Sequence, residues 1–249
     1  MDKATWTGLL LGFGGIILAN TIDGGEFSSL VQGTAALIVL TGTFGAVLVS
    51  NSSQDIKRGF RLAADAFDHK DTEIHYKIKE IVDYARTARK ESLVALESQV
   101  SKASDPFIKD LLKTVVDGTD NALTKEIFEG KIESEEDDLL SAAKIWSDAG
   151  GFAPTVGILG AVMGLIHVMG NLSDTSKLGA GIAVAFVATI YGVGFANLLF
   201  IPLNNKIKKK IARHVKEKRV LLEGGLLINS NLNPLLIDQK LKALVEEAR

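Results

Sequence analysis

The amino-acid sequence predicts an all-α integral membrane protein with four transmembrane helices and a helical cytoplasmic domain. Three observations carry this. Four stretches hold no Asp, Glu, Lys or Arg at all: Ala4 to Ile22, Phe27 to Gln54, Ala149 to Ser173 and Leu178 to Asn205. Each matches the roughly 20 mostly apolar residues that a helix needs to cross a hydrocarbon core. Yet 23% of the chain is charged and the formal net charge is only -2, so charge is segregated and not diluted. No period-two alternation of apolar and polar residues occurs, and strands are therefore not expected.

Taken in order, the elements are a first span over 1–22, a second over 27–53, a cytoplasmic domain over 54–148, a third span over 149–173, a fourth over 178–204 and a cytoplasmic tail over 205–249. Lys3 before an apolar run also fits a signal peptide, but no small-x-small cleavage site precedes the next span, so the run reads as a retained helix. Basic residues set the orientation, because short cytoplasmic flanks retain Lys and Arg. The link Asp23 to Glu26 has none, and the link around Asp174 to Lys177 has one. By contrast, Lys57, Arg58 and Arg61 follow span two, and Lys206, Lys208, Lys209, Lys210 and Arg213 follow span four. Both termini and the middle domain are thus expected in the cytoplasm.

The middle domain is too charged to insert and too patterned to be disordered. Ile74, Ile78, Ile81, Val82 and Ala85 recur at helical spacing, followed by Leu93, Leu96 and Val100. Breaks are expected at Asp105-Pro106, where a proline suits the first helical turn, at Gly118 and at Gly130. Ser134-x-x-Asp137 resembles a capping box that opens a further helix, from which Leu139 to Trp146 lead towards span three. In the tail, Ile207, Ile211 and Val215 form one stripe within the basic stretch Lys206 to Arg219. That pattern reads as an extension of span four, or as an anchor against anionic membrane lipid or a partner.

Enzyme chemistry is not expected. With no cysteine there is neither a disulfide nor a thiolate metal site, and His69, His75, His167 and His214 lack metal-ligand spacing. No GxSxG, HExxH or phosphate-binding glycine loop occurs. No cofactor, metal or nucleic-acid partner is expected either.

The informative residues lie in the spans. Gly157, Gly160 and Gly164 in span three, and Gly181, Ala185, Thr189, Gly192 and Ala196 in span four, are small and share helix faces with Ala188. Such faces let backbones approach closely, within one chain or between subunits. None of the four charge-free runs contains a carboxylate, and His167 is the one residue in them that ionises near neutral pH, more readily a packing residue than a relay. If the chain takes part in moving an ion, the titratable carrier belongs to a partner.

The block from Ala153 to Met169 (APTVGILGAVMGLIHVM), continued by Asn171-Leu-Ser-Asp and by Gly179 to Gly194 (GAGIAVAFVATIYGVG), resembles the signature of the MotA/PomA flagellar stator family, closest to its MotA members. Ala88 to Glu97 and Val115-Val-Asp-Gly fit it as well, and the likeness spans essentially the whole chain. The resemblance implies an ion-driven stator subunit of the bacterial inner membrane. It also implies a homo-oligomer, a pentamer, around a MotB-like single-span partner whose intramembrane Asp carries the ion. Residue by residue, Arg89 or Lys90 and Glu97 match charged positions that engage the rotor protein FliG, although on pattern alone they read as a solvated face. Pro154 and Pro202 match prolines near the cytoplasmic ends of spans three and four, where conformational coupling is implied. Thr155 and Thr189 match hydroxyl positions facing the partner's Asp. Ala188 stands where sodium-driven members pair a second threonine, so the resemblance implies protons ahead of sodium. An ExbB/TolQ-like energiser is the nearest alternative, and its three-span layout lacks the fourth charge-free run.

Overall fold

A computed structural model describes residues 3–68, 74–172 and 175–246, and among them every regular element is helical. The elements are α1 (Lys3–Ile22), a 3-10 turn (Phe27–Leu30), α2 (Gly33–Ser50), α3 (Ser53–Ala66), α4 (Ile74–Lys90), a 3-10 turn (Val94–Leu96) leading into α5 (Glu97–Val100), and α6 (Pro106–Val116). Then come α7 (Asn121–Gly170), α8 (Thr175–Phe195), a π-helical turn (Ala196–Phe200), α9 (Ile201–Asn229) and α10 (Pro234–Glu246). His69, Ser173 and Asp174 lie outside the described residues, as do residues 1–2 and 247–249 at the two termini assigned to the cytoplasm. The chain divides into a membrane unit, Met1–His69 with Leu139–Lys209, and a polar unit, Lys70–Asp138 with Lys210–Arg249.

The membrane unit holds the apolar segments, and among the described residues four helices are long and apolar enough to cross a bilayer. No residue of α1 is buried, and Leu11 and Ile22 are each 76% exposed. Such faces suit lipid as their solvent, where aliphatic side chains incur no hydration penalty. In α2, Ala35, Val39, Thr43 and Val47 form a buried stripe at spacing four, and Ala35 and Val39 pack against Val187 and Ala188 of α8. The second span is helical only from Gly33, because Phe27–Leu30 is a 3-10 turn and Val31 and Gln32 are extended. Tyr191 reconciles this break with the apolar layer: its hydroxyl donates to Leu30 O at 2.6 Å and accepts the Gln32 N–H at 3.2 Å. Backbone groups left unpaired there would be costly.

Ser52 caps α3 by accepting the Asp55 N–H at 3.1 Å. Gly59 of α3 lies so close to α7 that a Cβ there would stand 2.5 Å from Ala142 O, and Trp146 Nε1 donates to Gly59 O at 2.9 Å. Phe60 meets Trp146 edge-on at 5.2 Å, and Phe44 meets Phe200 edge-on at 5.9 Å.

The breaks at Asp105-Pro106 and Gly118 are present. Asp105 Oδ1 accepts the Phe107 N–H at 2.8 Å with Pro106 in the first turn of α6, and Gly118 leaves that helix at φ 72. The break at Gly130 and the new start at Ser134 are not, because α7 runs unbroken from Asn121 to Gly170. An interior glycine costs about 1 kcal/mol against alanine. Phe128 and Ile132, each 1% exposed on either side of Gly130, contribute about 1.5–3 kcal/mol apiece on burial. Packing therefore outweighs the local preference.

The core of the polar unit joins Ile74, Ile78, Ile81 and Val82 of α4 to Ile108 and Leu112 of α6, Leu221 and Ile228 of α9, and Ile237 and Leu241 of α10. Two carboxylates brace it. Burial raises the pKa of Asp105, but the ion pair with Lys77 and the Phe107 N–H outweigh burial and hold it below its ordinary 3.8. Burial likewise opposes the charge on Glu135, and hydrogen bonds from Lys218 and His214 outweigh it and hold that pKa below 4.5. Both folded values lie below the unfolded ones, so their stabilisation is complete above the unfolded pKa and is lost as pH falls through the folded one. Thermal melts of the purified chain are expected to be flat from neutrality down to about pH 5 and to fall on further acidification. Asp105→Asn, which keeps the cap, together with Glu135→Gln should flatten that fall.

Candidate functional site: an intramembrane helix seam and a charged helix end

The small residues of spans three and four face one another within the chain. A Cβ on Gly157 would stand 2.8 Å from Ala188 O, one on Gly164 would stand 2.8 Å from Ala185 N and Gly181 O, and one on Gly192 would stand 2.5 Å from Ala153 O. Gly160 abuts Ala188 Cβ, and a Cβ there would also lie 3.3 Å from Ile38 of α2. Gly160, Gly164, Gly181, Ala185 and Gly192 thus belong to one antiparallel seam between α7 and α8, with α2 beside it. Sequence left open whether these faces meet within the chain or between subunits. Here they are consumed within the chain.

The two threonines stand differently towards the seam. Thr189 adjoins the seam residue Ala188 and is half-buried, and its hydroxyl donates to Ala185 O at 3.3 Å. Thr155 is two residues from both Ala153 and Gly157, which places it on the far side of α7. It is exposed and donates to Phe152 O at 2.8 Å. The hairpin therefore does not bring the two hydroxyls together. Each spends its proton on its own helix and keeps lone pairs that can accept from a protonated acid or a hydrated cation.

Pro154 lies inside α7, next to the seam residue Ala153, and the helix continues through it. Pro202 follows the π-helical turn, in which the Ile201 N–H bonds to Ala196 O. A proline ring crowds the carbonyl four residues back and supplies no N–H to it, so the widened turn fits the start of α9. His167 is exposed in the last turn of α7.

Sequence reasoning missed three polar residues here. Thr43 and Asn204 are buried, and Thr43 Oγ1 and Asn204 Oδ1 make no hydrogen bond among the described residues. Tyr191 bridges α8 to the start of α2. A polar side chain in a charge-free run was the available signal, but it does not tell which face is buried.

In the polar unit, Arg89 and Lys90 are exposed in the last turn of α4, where positive charge suits the helix dipole, and Glu97 is exposed at the first position of α5. Among the described residues none of the three forms an ion pair. Glu97 also borders a shallow cleft of about 430 Å³ with Lys109, Lys113 and Asp117, charged neighbours that sequence had not grouped with it. No cluster of three or more metal-ligating side chains occurs among the described residues.

A family model described as the MotA/TolQ/ExbB proton channel family matches residues 99–219. The chain is 35% identical to motility protein A of Bacillus subtilis over 242 residues, 97% of this chain and 90% of that one. Its fold superposes on the C. jejuni MotAB structure with a TM-score of 0.89 at 28% identity, covering 98% of this chain and 96% of that one. On the flagellar MotAB stator complex of Bacillus subtilis the TM-score is 0.86 at 34% identity, covering 96% and 94%.

Proposed function

The chain belongs to the motility protein A family of flagellar stator subunits, within the wider MotA/TolQ/ExbB proton channel family, and on that premise we propose how it works. It is a multi-pass subunit of the bacterial inner membrane that shapes an ion path whose carrier is a MotB-like single-span partner with an intramembrane Asp. The observation that carries this reading is that all four charge-free runs lack a carboxylate, while Thr189 holds acceptor lone pairs beside a tight helix seam. Protonating a carboxylate in the membrane removes a charge worth about 2.5–3.5 kcal/mol at mid-bilayer. The two states of the partner's Asp then favour different helix arrangements, and Pro154, with Pro202 after the π turn, supplies the weak points at which α7 and α9 bend. The resemblance implies the proton ahead of sodium, since Ala188, buried against Gly160, stands where sodium-driven members pair a second threonine with the position of Thr189.

Several copies of this chain, five by resemblance, surround the partner, with both termini and the polar unit in the cytoplasm. Torque passes to FliG on the rotor through Arg89, Lys90 and Glu97, whose exposure and freedom from ion pairs suit an electrostatic handle. An exposed ion pair is worth only about 0.2–1 kcal/mol. Single charge reversals should therefore slow swimming modestly, and reversal of all three should stop it while membrane insertion and ion flux persist. Opposite reversals on the rotor should restore motion. Normal swimming by the triple reversal would reduce these residues to a solvated face. Four spans argue against the three-span layout of an ExbB/TolQ-like energiser.

A further inference from the structure

The cleft of about 430 Å³ in the polar unit has two charged walls: Glu97 and Ser101, one turn apart at α5, and Lys109, Lys113 and Asp117, at spacing four along α6. Val100, 4% exposed, lies at its base. Two ammonium groups and two carboxylates thus border one cleft, and among the described residues none of the four forms an ion pair. Of the neighbouring charges, Lys102 beside Ser101 is exposed, Asp110 beside Lys109 is paired with Lys131 at 3.7 Å, and the Asp120 carboxylate accepts the Ala122 N–H at 2.9 Å. Lysines at i and i+4 repel each other, and an acid placed four residues after a lysine is the weaker orientation of such a pair. The row on α6 therefore adds little to the stability of its own helix and is left for a partner. We propose that the cleft is a second rotor contact, taking a helix that carries two carboxylates one turn apart, for Lys109 and Lys113, and a cation for Asp117. A cation there also suits the negative end of the α6 dipole. Glu97 belongs both to this cleft and to the handle it forms with Arg89 and Lys90, so one rotor surface reaches both. A surface of a single sign, such as an anionic membrane or a nucleic acid, is repelled by one pair of charges or the other, so the cleft selects a partner of mixed charge. The inference rests on the reading of Arg89, Lys90 and Glu97 as the rotor handle, and it extends that handle to α6.

The test uses cells that carry the full chain, its partner and the rotor. Lys109→Glu with Lys113→Glu is expected to cut swimming speed about fivefold, and the milder Lys109→Gln with Lys113→Gln about twofold, while ion flux through the reconstituted complex is unchanged. The chain has no cysteine, so Ser101→Cys places a single thiol on the cleft wall for a benzophenone maleimide. After illumination of labelled membranes, the purified chain is expected to carry the rotor protein. Tyr76→Cys, 63% exposed at the end of α4 away from Arg89, should not capture it. Reversing the carboxylates of the captured rotor segment should restore swimming to the Lys109→Glu, Lys113→Glu cells. Should that pair fail to insert, the glutamine pair and the cross-link decide. Normal swimming by the reversed pair, loss of ion flux along with swimming, or capture of a second copy of the chain from Ser101→Cys in place of the rotor would each overturn the proposal. The triple reversal at Arg89, Lys90 and Glu97 is read beside it. If the triple reversal stops the cells and the lysine pair does not slow them, the contact on α6 alone falls; if neither slows them, the rotor handle falls with it.

Discussion

Reconstituted alone in liposomes, this chain is expected to pass neither protons nor sodium, and flux is expected to appear only when a partner bearing an intramembrane Asp is added. The four charge-free runs offer no carboxylate, and among the described residues their polar side chains are hydroxyls, carboxamides, the Trp6 indole N–H and the exposed His167. Hydroxyls can orient a proton or share a cation's shell, but they do not ionise within the working range, so they do not carry charge. On the proposed path, Thr189 is expected to modulate the carrier. A hydrogen bond between membrane helices is worth about 0.6 kcal/mol on average and about 1.7 at most. With about 1.4 kcal/mol to each tenfold in rate, Thr189→Ala should slow flux by about three- to twentyfold, and Thr189→Ser should be nearly neutral. Thr155→Ala is a companion measurement, because Thr155 faces away from the α7–α8 seam. If it lines the path, it does so against another chain, and its effect should depend on assembly with the partner. Proteoliposomes with a pH-sensitive dye read all of these. Strong flux from the chain alone would replace the shared path with a self-contained channel.

The second large effect is at the seam. Gly192→Ala is expected to destabilise the purified chain by about 1–3 kcal/mol, the usual range for overpacking, because the added Cβ would fall 2.5 Å from Ala153 O and 3.0 Å from Gly157 Cα. These are backbone atoms of a neighbouring helix and cannot swing aside as a side chain could. Gly194→Ala, two positions along the same helix, meets nothing within 4 Å and should stabilise by up to about 1 kcal/mol through helix propensity. Gly160→Leu and Gly164→Leu should fail more severely than Gly192→Ala. Unfolding of purified protein in mixed micelles would separate the two glycines, and a Gly192→Ala chain as stable as the unsubstituted one would contradict the close approach. Because the seam is intramolecular, assembly should be lost as a consequence of a damaged hairpin and not through direct loss of a subunit contact.

Sequence by itself determined the membrane character, the number of spans and the small-residue faces. A bilayer acts on composition locally: about 20 residues without charge either partition into it or do not, and spacing four places residues on one face whatever lies opposite. The amphipathic stripe Ile74, Ile78, Ile81 and Val82 and the cap at Asp105 were legible for the same local reason, and both are present. Tertiary structure decided what local rules could not reach. It chose α8 as the partner of the glycines in α7 and carried α7 through Gly130, where buried Phe128 and Ile132 outweigh one glycine. It also set Tyr191 against Leu30 and Gln32 across the second span's break, and placed Thr155 and Thr189 on different sides of the seam. Each of these depends on residues far apart in the chain, and the free energy that settles them comes from close packing and paired backbone groups between helices, which no window of sequence contains.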